Sequence, residues 1–570
     1  MASRVQDPLK MDRISKSLMV LRVLLVFLPQ FGYIHPDEFF QSTEITAGEV
    51  LTTDAYRPWE FTTDKPLRCS VFVHMFAYLP FRMLSYFGST PYWRLVLPRL
   101  VACTLSFVVD YVVYKIRGVA ALKVVATSYL ALVYFTRTFT NVTETVLFAL
   151  LILLSFPVGK VETSELIQSA KSETASDEVA ESSKNETRSE GGSPSKKRVE
   201  FLAAEKSETK EGEREDPPTS EPPQRLKPQF HSCSSEFLYV TVIVCGLFNR
   251  PTFVCFALTP FLFRFYSTNT FKGFVLSCIR MSLYAVVPCC FFIVVDSIYY
   301  KSLDEFLVDP KSNLVITPLN FLLYNSISDN LANHGLHPRW LHIAINIPLL
   351  FGLHSVYIYR DIYRLILKRE NFQIEKFSLH MCTIVPLLML SAFPHQEPRF
   401  LLPLLIPFAL RNAFKLTQSG RFSGMWYAFN LYMFLFFAFA HQAGVVPMQM
   451  HTQESGKVVY FHTYMPPRHL TPNGVDREII DLKEANHRVL EETLQKHREG
   501  YLVYPAGVQS IVSEAMTTAY CTSTETMSLF PHVATEYLPA VLQRCGFGLQ
   551  CLFFDSLSLK RIKFLCEAAF

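Results

Sequence analysis

The chain has 570 residues, of which 50% are hydrophobic and 49 are phenylalanine, and its formal net charge is only +4 at pH 7. Its mean hydropathy is +0.19. This composition excludes an ordinary soluble protein, because soluble domains rarely carry many apolar runs of about 20 residues. It predicts an all-α polytopic membrane protein. The 16 histidines are scattered and no Cys-x-x-Cys pair occurs, so no metal site is expected.

A basic amino terminus precedes the first apolar stretch. Arg4, Lys10, Arg13 and Lys16 come before it, and no small-residue cleavage site follows it. Because positive residues stay on the cytoplasmic side of a membrane, we expect an uncleaved signal anchor whose amino terminus lies in the cytoplasm.

Apolar segments recur along the chain and predict about eleven transmembrane helices. The candidate spans cover residues 17–34, 96–114, 120–135, 143–158, 236–249, 252–266, 274–296, 341–359, 377–393, 400–414 and 425–446. Several of these segments are short or contain proline, which a membrane protein tolerates where the backbone faces protein or water.

Residues 69–87 are apolar but are interrupted by a histidine, a proline and an arginine. If this segment is not counted as a span, the basic residues after later spans, such as Lys115, Arg364 and Lys415, fall in the cytoplasm, as the positive-inside rule requires. We therefore interpret 69–87 as an interfacial or re-entrant helix that packs under the first luminal loop.

The pattern divides the chain into four regions. They are an N-terminal membrane block at 1–159 with a first luminal, catalytic loop at 35–95, a cytoplasmic linker at 160–235, a second membrane block at 236–446 and a luminal tail at 447–570. The linker is predicted to be disordered because it is rich in Ser, Glu, Lys and Pro and lacks apolar periodicity.

The tail is predicted to be a small mixed domain. Residues 457–461 have short apolar alternation, and residues 477–498 have a helical pattern that predicts an amphipathic surface helix. Four of the 13 cysteines cluster in the tail: Cys521, Cys545, Cys551 and Cys566. An oxidising lumen permits two disulfides among them, and the sequence leaves their connectivity open.

Two adjacent carboxylates follow the first apolar stretch, in the run Tyr33-Ile34-His35-Pro36-Asp37-Glu38-Phe39-Phe40-Gln41. Charges close to hydrocarbon are expensive because they lose their hydration, and Pro36 ends the helix before them. A fixed acid at the membrane face suits removal of a proton from a substrate that the membrane presents. The alternative is that Asp37 and Glu38 are ordinary solvated charges after a span.

The predicted topology brings further polar segments to the same luminal face. They are Arg57-Pro58-Trp59-Glu60, Arg137-Thr138-Phe139-Thr140-Asn141 with Glu144 one turn later, Asn249-Arg250-Pro251, His395-Gln396-Glu397-Pro398-Arg399 and the run from His462 to His469. Arginine binds phosphate oxygens through two N–H groups and stays charged at a membrane surface. With a carboxylate as base, this inventory fits a reaction between a hydroxyl acceptor and a donor that has an anionic leaving group.

Each of these segments also has a purely structural interpretation. The simplest alternatives are an ion pair between Arg137 and Glu144, a helix-breaking corner at Asn249-Arg250-Pro251, a pair between Arg399 and Glu397 alone, and ordinary loop histidines at His462 and His469. None of these segments is specific when it is taken by itself.

Together the segments resemble one family, the multispanning dolichyl-phosphate-mannose-dependent mannosyltransferases of the endoplasmic reticulum, which share the GT-C architecture. The marks are the pair Asp37-Glu38, the segment with Arg137, Thr138, Asn141 and Glu144, and the segment with His395, Glu397, Arg399 and Phe400. Residues 35–42, 57–61, 248–253 and 462–470 resemble the branch of this family that adds a fourth mannose to GPI precursors. The chain departs from the family pattern in the linker, in the tail beyond about 475 and at Pro398.

The resemblance implies an inverting transfer of mannose from dolichyl-phosphate-mannose to the third mannose of a GPI precursor, in α-1,2 linkage and without a cofactor or metal. It implies that Asp37 is the catalytic base and that Glu38 orients Asp37 or the acceptor. Arg399 and His395 are expected to bind the donor phosphate, with Arg250 and Arg137 as helpers. The expected substrate-binding or supporting residues are His35, Trp59, Glu60, Asn141, Glu144, Glu397 and His462.

The expected partners are dolichyl-phosphate-mannose, a GPI precursor glycolipid and membrane lipid, with no nucleic acid. The expected location is the endoplasmic reticulum membrane, with a multi-pass chain and a luminal active site. Protein partners are left open by the sequence.

Other functions remain open at this stage. A sister mannosyltransferase, acting on another GPI mannose or on the N-glycan lipid-linked precursor, has the same fold and chemistry. A polytopic lipid transporter or flippase carries polar residues at mid-span, whereas here the polar groups collect at the luminal ends. A structural scaffold has no use for so many luminal charges.

Overall fold

The computed structural model describes residues 13–28, 30–62, 64–156, 233–266, 270–327, 329–330, 335–367, 374–418, 420–546, 548, 550–551 and 557–567. The basic residues Arg4 and Lys10 lie outside this part of the chain. The linker predicted at 160–235 also lies outside it, except for its last residues, which begin the helix Cys233–Asn249.

The described chain is mostly helical as far as His451. Its α-helices are Arg13–Phe27, Glu44–Val50, Ser70–His74, Tyr78–Phe87, Pro91–Thr127, Tyr129–Val133, Thr140–Ser155, Cys233–Asn249, Phe253–Tyr266, Phe271–Lys301, Leu303–Val308, Thr317–Asn325, Ile347–Phe351, Val356–Leu367, Ile374–Ser391, Leu405–Gln418, Gly420–Phe439 and Val445–His451. π-Helical segments lie at Phe39–Thr43 and His342–Asn346, and 3₁₀ turns lie at Trp59–Phe61, Tyr134–Thr136, Gly352–Ser355 and Pro398–Leu404.

Several of these helices confirm the membrane-protein class. Within the described residues, 5 helices are long and apolar enough to span a membrane: Pro91–Thr127, Phe271–Lys301, His342–Leu365, Pro398–Thr417 and Gly420–Phe439. The pair Tyr129–Thr136 and Thr140–Ser155, bent by 118°, is a sixth candidate. Shorter apolar helices cover Ser234–Asn249, Phe253–Arg264 and Phe377–Ser391. Every segment predicted as a span overlaps an apolar helix, while the count of eleven spans remains a prediction.

The segments predicted as spans at 96–114 and 120–135 fall largely on one long helix, Pro91–Thr127, which is interrupted at Gly118. The φ angle of Gly118 is 72°, a conformation that glycine adopts without the steric cost of a side chain. The backbone at Gly118 is not helical, so the stretch Pro91–Thr127 consists of two helices joined at a kink, and each carries one of the two predicted segments.

Residues 69–87 form two short helices, Ser70–His74 and Tyr78–Phe87. The first of them is anchored by Asp296, a fully buried residue of Phe271–Lys301. The Oδ1 atom of Asp296 accepts hydrogen bonds from the backbone N and the hydroxyl of Ser70, both at 2.8 Å. A carboxylate at the start of a helix satisfies free backbone N–H groups, so this contact fixes the end of the loop that carries Asp37.

The tail folds as a mixed sheet, as predicted. Its strands are β1 (Gly456–Tyr460), β2 (Arg477–Asp481), β3 (Glu499–Pro505), β4 (Cys521–Leu529) and β5 (Leu559–Cys566), in the order β2-β1-β3-β5-β4. β1 pairs in parallel with β2 and β3, and β5 pairs antiparallel with β3 and β4. The helices His487–His497, Gln509–Thr518 and Leu538–Cys545 and the 3₁₀ turns Arg468–Leu470, Ala506–Val508 and Thr535–Tyr537 complete the tail.

The helix predicted over 477–498 was wrong for the residues before His487, nearly half of its length. Residues Arg477–Asp481 form β2, and the helix covers only His487–His497. Arg477 and Ile479 are buried whereas Glu478 is exposed, which is the period of a strand that has one covered face.

Two disulfides close the tail, joining Cys521 to Cys566 and Cys545 to Cys551. Cys521 and Cys566 are directly opposed in the antiparallel pair β4–β5. The eight cysteines described as free all lie before the tail.

The tail packs directly against the loop that carries Asp37. The carboxylate of Glu44, which is fully buried, accepts the backbone N–H groups of Tyr56 at 3.0 Å and Arg468 at 3.1 Å and contacts His469 Nδ1. The Tyr33 hydroxyl donates to Met465 O at 3.0 Å. These bonds hold residues 465–469 of the tail over the first loop.

Candidate functional site

The local backbone turns the two adjacent acids in different directions. The N–H groups of Phe39 and Phe40 donate to Pro36 O at 3.0 and 3.1 Å, so a helical turn begins directly after the proline. Successive side chains on such a turn point about 100° apart. As a result the Glu38 side chain is 0% exposed, whereas that of Asp37 is 22% exposed.

Asp37 forms the centre of the site. Its Oδ2 atom lies 2.7 Å from Arg399 Nη2 and also accepts a hydrogen bond of 2.7 Å from Gln41 Nε2. Its Oδ1 atom lies 3.4 Å from His35 Nδ1, a nitrogen that already accepts the Asp37 backbone N–H at 3.1 Å. Two donors therefore hold Oδ2, and Oδ1 is left to interact with a substrate.

Arg399 links Asp37 to Glu397, because its Nε atom donates to Glu397 Oε2. Its guanidinium carbon lies 5.4 Å from the centre of the Phe400 ring and 5.9 Å from that of Phe139. Among the described residues, the buried Nη1 atom of Arg399 has no hydrogen-bond partner. A buried guanidinium N–H without an acceptor is unusual in a folded protein, and an anionic ligand would satisfy it.

Glu397 is shared by the arginine and two histidines. Its Oε1 atom lies 2.8 Å from His395 Nε2 and 3.6 Å from His35 Nε2. Both histidines are partly exposed, at 24% and 32% of their side-chain surface. Glu397 therefore fixes the orientation of Arg399 and connects it to two groups at the open edge of the site.

The charge of Arg399 controls the acids around it. Burial acts to raise the pKa of Asp37, but the Arg399 guanidinium, assisted by His35, outweighs burial and holds that pKa well below its ordinary value. The same balance of burial against Arg399 and His35 holds the pKa of Glu397 well below its ordinary value. Both side chains are therefore carboxylates at neutral pH.

A second ion pair supports Asp37 from the opposite side. Gln41 Nε2 lies 3.3 Å from Glu60 Oε2, and Glu60 receives two hydrogen bonds from Arg68, at 2.7 and 3.1 Å. Neither Arg68 nor a role for Gln41 was predicted from the sequence. The spacing of four residues between Asp37 and Gln41 places them on one helical face and was the available signal for Gln41.

Glu38 lies in a closed cluster beneath the site. Its Oε1 atom accepts hydrogen bonds from Arg99 Nη2 at 2.6 Å and Nε at 2.8 Å, and its Oε2 atom accepts one from Arg137 Nη1 at 3.0 Å. Gln30 O accepts a further hydrogen bond from Arg99 Nη1 at 2.9 Å. The Arg137 side chain is 0% exposed and lies against Glu38; its role as a helper for the donor phosphate stays a prediction.

The simple ion pair considered between Arg137 and Glu144 is not formed, because Arg137 pairs with Glu38. Arg99, which completes this cluster, was missed by the sequence analysis. An arginine inside an apolar span was the available signal, since charges in such segments occur where they have partners or functions.

Arg250 and Glu144 form a neighbouring pair. Arg250 Nε lies 3.8 Å from Glu144 Oε2, and Arg250 Nη1 lies 3.4 Å from Asn141 Oδ1. The Arg250 guanidinium also lies 4.9 Å from the centre of the Phe400 ring, which contacts Arg399 as well. Phe400 therefore connects Arg250, together with its partners Glu144 and Asn141, to the Asp37–Arg399 pair.

Two predicted residues lie outside this ion-pair cluster. The ring of Trp59, which is 37% exposed, lies 4.8 Å from that of Tyr324 at the surface of the loop. His462 is held inside the tail, where its Nε2 atom lies 3.0 Å from Ala485 O and its Nδ1 atom contacts the Tyr537 hydroxyl. Neither residue is among the described contacts of Asp37 or Arg399.

No group of three or more His, Cys, Asp or Glu side chains in the described part of the chain is arranged to hold a metal ion. The cluster of Asp37, Glu397 and Arg399 instead combines carboxylates with a guanidinium. Such a set can accept a proton and stabilise an anion.

A family model described as the Alg9-like mannosyltransferase family matches residues 14–472. The chain belongs to this family. It is similar to GPI alpha-1,2-mannosyltransferase 4 of Homo sapiens, at 30% identity over 92% of this chain and 89% of the relative. It is also similar to the proteins named GPI mannosyltransferase 4 of Drosophila melanogaster, at 28% identity over 91% and 85%, and of Candida albicans, at 28% identity over 86% and 89%.

Among solved structures, the chain is similar to ArnT from Cupriavidus metallidurans, in the apo state and bound to undecaprenyl phosphate. Each match has a TM-score of 0.45 and 9% identity, and covers 96% of this chain and 97% of that chain. Similarity at this level supports no inference about the site.

Membership of the Alg9-like mannosyltransferase family confirms two predictions. The chain is a glycosyltransferase, and the resemblance to GPI mannosyltransferases read from its motifs is correct. The matched range contains Asp37, Arg250 and Arg399 and ends at 472, just before β2. Most of the tail sheet therefore lies beyond the range that the family model matches.

Proposed function

We propose that this Alg9-like mannosyltransferase transfers mannose from dolichyl-phosphate-mannose to the third mannose of a GPI precursor, forming an α-1,2 linkage. The names of its relatives support GPI as the acceptor and α-1,2 as the linkage. The observation that carries the assignment is the pair between Asp37 and Arg399, in which a carboxylate oxygen and a buried guanidinium N–H are both left for a ligand.

In the proposed step, Asp37 Oδ1 accepts the proton of the acceptor 2-hydroxyl. The acceptor oxygen attacks C1 of the donor mannose from the face opposite the phosphate, so the β-linked sugar becomes α-linked. The bond between C1 and the phosphate oxygen breaks, and its electron pair leaves with dolichyl phosphate. The proton remains on Asp37 until it is released to water. Phosphate is already a good leaving group, so the step needs no strong general acid.

Arg399 has two functions in this scheme. Its Nη1 N–H donates to a donor phosphate oxygen, and as negative charge develops there the guanidinium stabilises it without reorganising. The negative phosphate partly neutralises the charge of Arg399, so Arg399 stabilises the Asp37 carboxylate less. The pKa of Asp37 then rises toward its ordinary value. Departure of the phosphate is thereby coupled to proton transfer.

The remaining predicted residues take supporting functions in the proposal. Glu38 positions Asp37 by locking the loop onto Arg99 and Arg137, and it does not contact the acceptor. His395 and Arg250 approach the donor phosphate from either side of Phe400. Trp59 offers an exposed ring at the loop surface on which a sugar can stack.

The GT-C architecture, the eleven spans, the four regions and the luminal orientation in the endoplasmic reticulum belong to the same proposal. The tail disulfides support this orientation, because disulfides persist in oxidising compartments. The contact between Asp37, which follows the first apolar helix, and Arg399, which begins Pro398–Leu404, supports an active site on the tail's side of the membrane.

The decisive experiment supplies the purified protein with labelled dolichyl-phosphate-mannose and three acceptors in parallel. These are a trimannosyl GPI precursor, a dimannosyl GPI precursor and an N-glycan lipid-linked precursor. We expect transfer to the trimannosyl GPI precursor. An α-1,2-mannosidase should then release the labelled mannose from the product. Transfer to another acceptor alone would assign the protein to a sister activity. Lipid movement across vesicles without mannose transfer would contradict the enzymatic assignment.

A further inference from the structure

A cavity of about 640 Å³ opens between the first loop and the tail. Its walls include Thr53, Asp54 and Arg94 on one side and Arg468, Asn473 and Asp476 on the other. None of these residues is among the described contacts of Arg399 or Glu397, so the cavity is a separate feature from the ion-pair cluster described above.

The cavity lies beside the helical stretch that follows Asp37, although no residue between Asp37 and Leu51 is part of its lining. The buried carboxylate of Glu44 accepts the N–H groups of Tyr56 and Arg468, which continue into the two walls. Glu44 follows Asp37 by seven residues on a helical path, which corresponds to about 10 Å. A ligand that extends by two or three sugars from Asp37 is long enough to reach this distance.

Two of the three arginines in the cavity wall, Arg94 and Arg477, already have hydrogen-bond partners. Arg94 Nη1 donates to the backbone carbonyls of His469 and Thr471 at 2.9 and 3.0 Å. Arg477 donates to the carbonyls of Glu454, Gln449 and Thr452. The guanidinium groups of Arg94 and Arg477 are therefore not available for bidentate hydrogen bonding to a phosphate.

The groups left for a ligand are mostly hydrogen-bond acceptors. Asp54, Asp476 and Glu478 are exposed, and the three acids offset the charges of the three arginines in the wall. Asp54 Oδ2 lies 3.8 Å from Arg468 Nη1, a long contact at an exposed carboxylate that leaves Asp54 able to accept further hydrogen bonds. Thr53 Oγ1 and Arg468 Nε are buried and have no hydrogen-bond partner among the described residues. A neutral ligand rich in hydroxyl groups fits this mixture, because each hydroxyl both donates and accepts.

We infer that this cavity binds the carbohydrate of the acceptor that precedes the reacting sugar. The inference rests on the proposed function and adds to it a second binding site, which holds the acceptor glycan while Asp37 acts on its terminal mannose. Binding energy from such a remote site positions the reacting hydroxyl. The cavity is formed partly by β2, which lies beyond the range that the family model matches.

The test compares the double variant Asp54→Asn/Asp476→Asn with the wild type on two acceptors. One is the complete trimannosyl GPI precursor, and the other is a short dimannoside that lacks the sugars expected to enter the cavity. Each carboxylate accepts a charge-assisted hydrogen bond, so KM for the complete acceptor should rise about tenfold or more. KM for the donor, kcat, and all constants with the dimannoside should remain unchanged.

Asp304→Asn serves as the matched control, because Asp304 is an exposed acid on Leu303–Val308 outside the cavity. Glu478→Gln provides a second cavity variant, and thermal unfolding checks that each variant is folded. Unchanged KM in the double variant, or an equal rise with the dimannoside, would overturn the cavity as a glycan site. If the wild type transfers to neither acceptor, it is the proposed function that fails.

Discussion

Asp37 and Glu38 are neighbours in the chain, yet they belong to two ion-pair clusters of opposite kind. The cluster of Glu38 with Arg99 and Arg137 is closed, since both carboxylate oxygens accept guanidinium hydrogen bonds and all three side chains are at most 5% exposed. The cluster of Asp37 with Arg399 is open. One oxygen of Asp37 has only the longer contact to His35, at 3.4 Å, and the buried Nη1 atom of Arg399 has no partner in the described part of the chain.

The difference indicates which charges serve the fold and which serve the reaction. A buried ion pair is costly unless hydrogen bonds satisfy its remaining atoms. In the Glu38 cluster both carboxylate oxygens meet this condition, and the Nε atom of Arg137 is left without a partner among the described residues. In the Asp37 cluster the unsatisfied Nη1 atom of Arg399 lies on a guanidinium that pairs with the partly exposed Asp37, so this cluster holds charge ready for a substrate. Adjacent acids in a motif therefore need not share a role, because one helical turn separates their surroundings.

The strongest test of this comparison is Asp37→Asn. The amide keeps the shape of the carboxylate but does not accept the proton, so kcat for mannose transfer should fall about 10³-fold or more. Transfer of labelled mannose measures the effect, with Asp304→Asn as the control for loss of an exposed acid. Activity within a few-fold of the wild type would remove Asp37 from the role of base.

Arg399→Gln should have the next largest effect. Loss of a donor that stabilises the leaving phosphate should lower kcat by about 10²- to 10³-fold. The variant should also change the pH profile. In the wild type, Arg399 holds the pKa of Asp37 well below its ordinary value, so Asp37 stays ionised as the pH falls. Without Arg399, burial raises that pKa, and activity should be lost at a higher pH.

The profile of kcat/KM between about pH 4 and pH 8 measures this shift, in the range where an Asp with a raised pKa titrates. His35 and His395 also face Glu397. Because the wild type and Arg399→Gln both retain these histidines, the difference between the two pH profiles reports on Asp37. Arg57→Gln is the control, because Arg57 pairs with Glu49 at the loop surface. If kcat/KM fell at the same acidic pH in the wild type and in Arg399→Gln, the proposal that Arg399 lowers the pKa of Asp37 would be contradicted.

Glu38→Gln should affect stability more than chemistry. Removing the carboxylate leaves Arg99 and Arg137 buried without a countercharge, which should cost about 3–5 kcal/mol of unfolding free energy. Thermal unfolding in detergent measures the loss. Glu525→Gln, which breaks an exposed pair with Lys560, should have little effect. If Glu38→Gln lowered kcat of the folded protein as much as Asp37→Asn without a loss of stability, the two clusters would not differ in kind.

The sequence predicted the open cluster better than the closed one. Asp37 and Arg399 each lie at the end of an apolar segment, so counting spans was enough to predict that they meet, and the structure places them 2.7 Å apart. The partners of Glu38 could not be predicted in this way. Arg99 lies inside a long helix, and its pairing with Glu38 depends on how that helix rotates against the loop.

The tail shows a second limit of the sequence. Residues 477–481 have a pattern that fits either an amphipathic helix or a strand, and only the pairing of β2 with β1 decides between them. The same pairing builds a wall of the cavity. The disulfide connectivity also depended on which strands are neighbours, since Cys521 and Cys566 are opposed only in the folded sheet.

Gln41→Leu is the smallest change that still tests the open cluster. Leucine keeps the approximate size of this buried side chain but removes the hydrogen bond to Asp37 Oδ2, while Arg399 keeps its own bond to the same oxygen. Loss of one hydrogen bond to a charged group should lower kcat about tenfold, with KM for both substrates unchanged. Gln41→Glu should act differently, because a second carboxylate beside Asp37 raises its pKa and moves the acid limb to higher pH. A purely structural role for Gln41 would instead lower the stability of both variants and leave the pH profile of the folded enzyme unmoved.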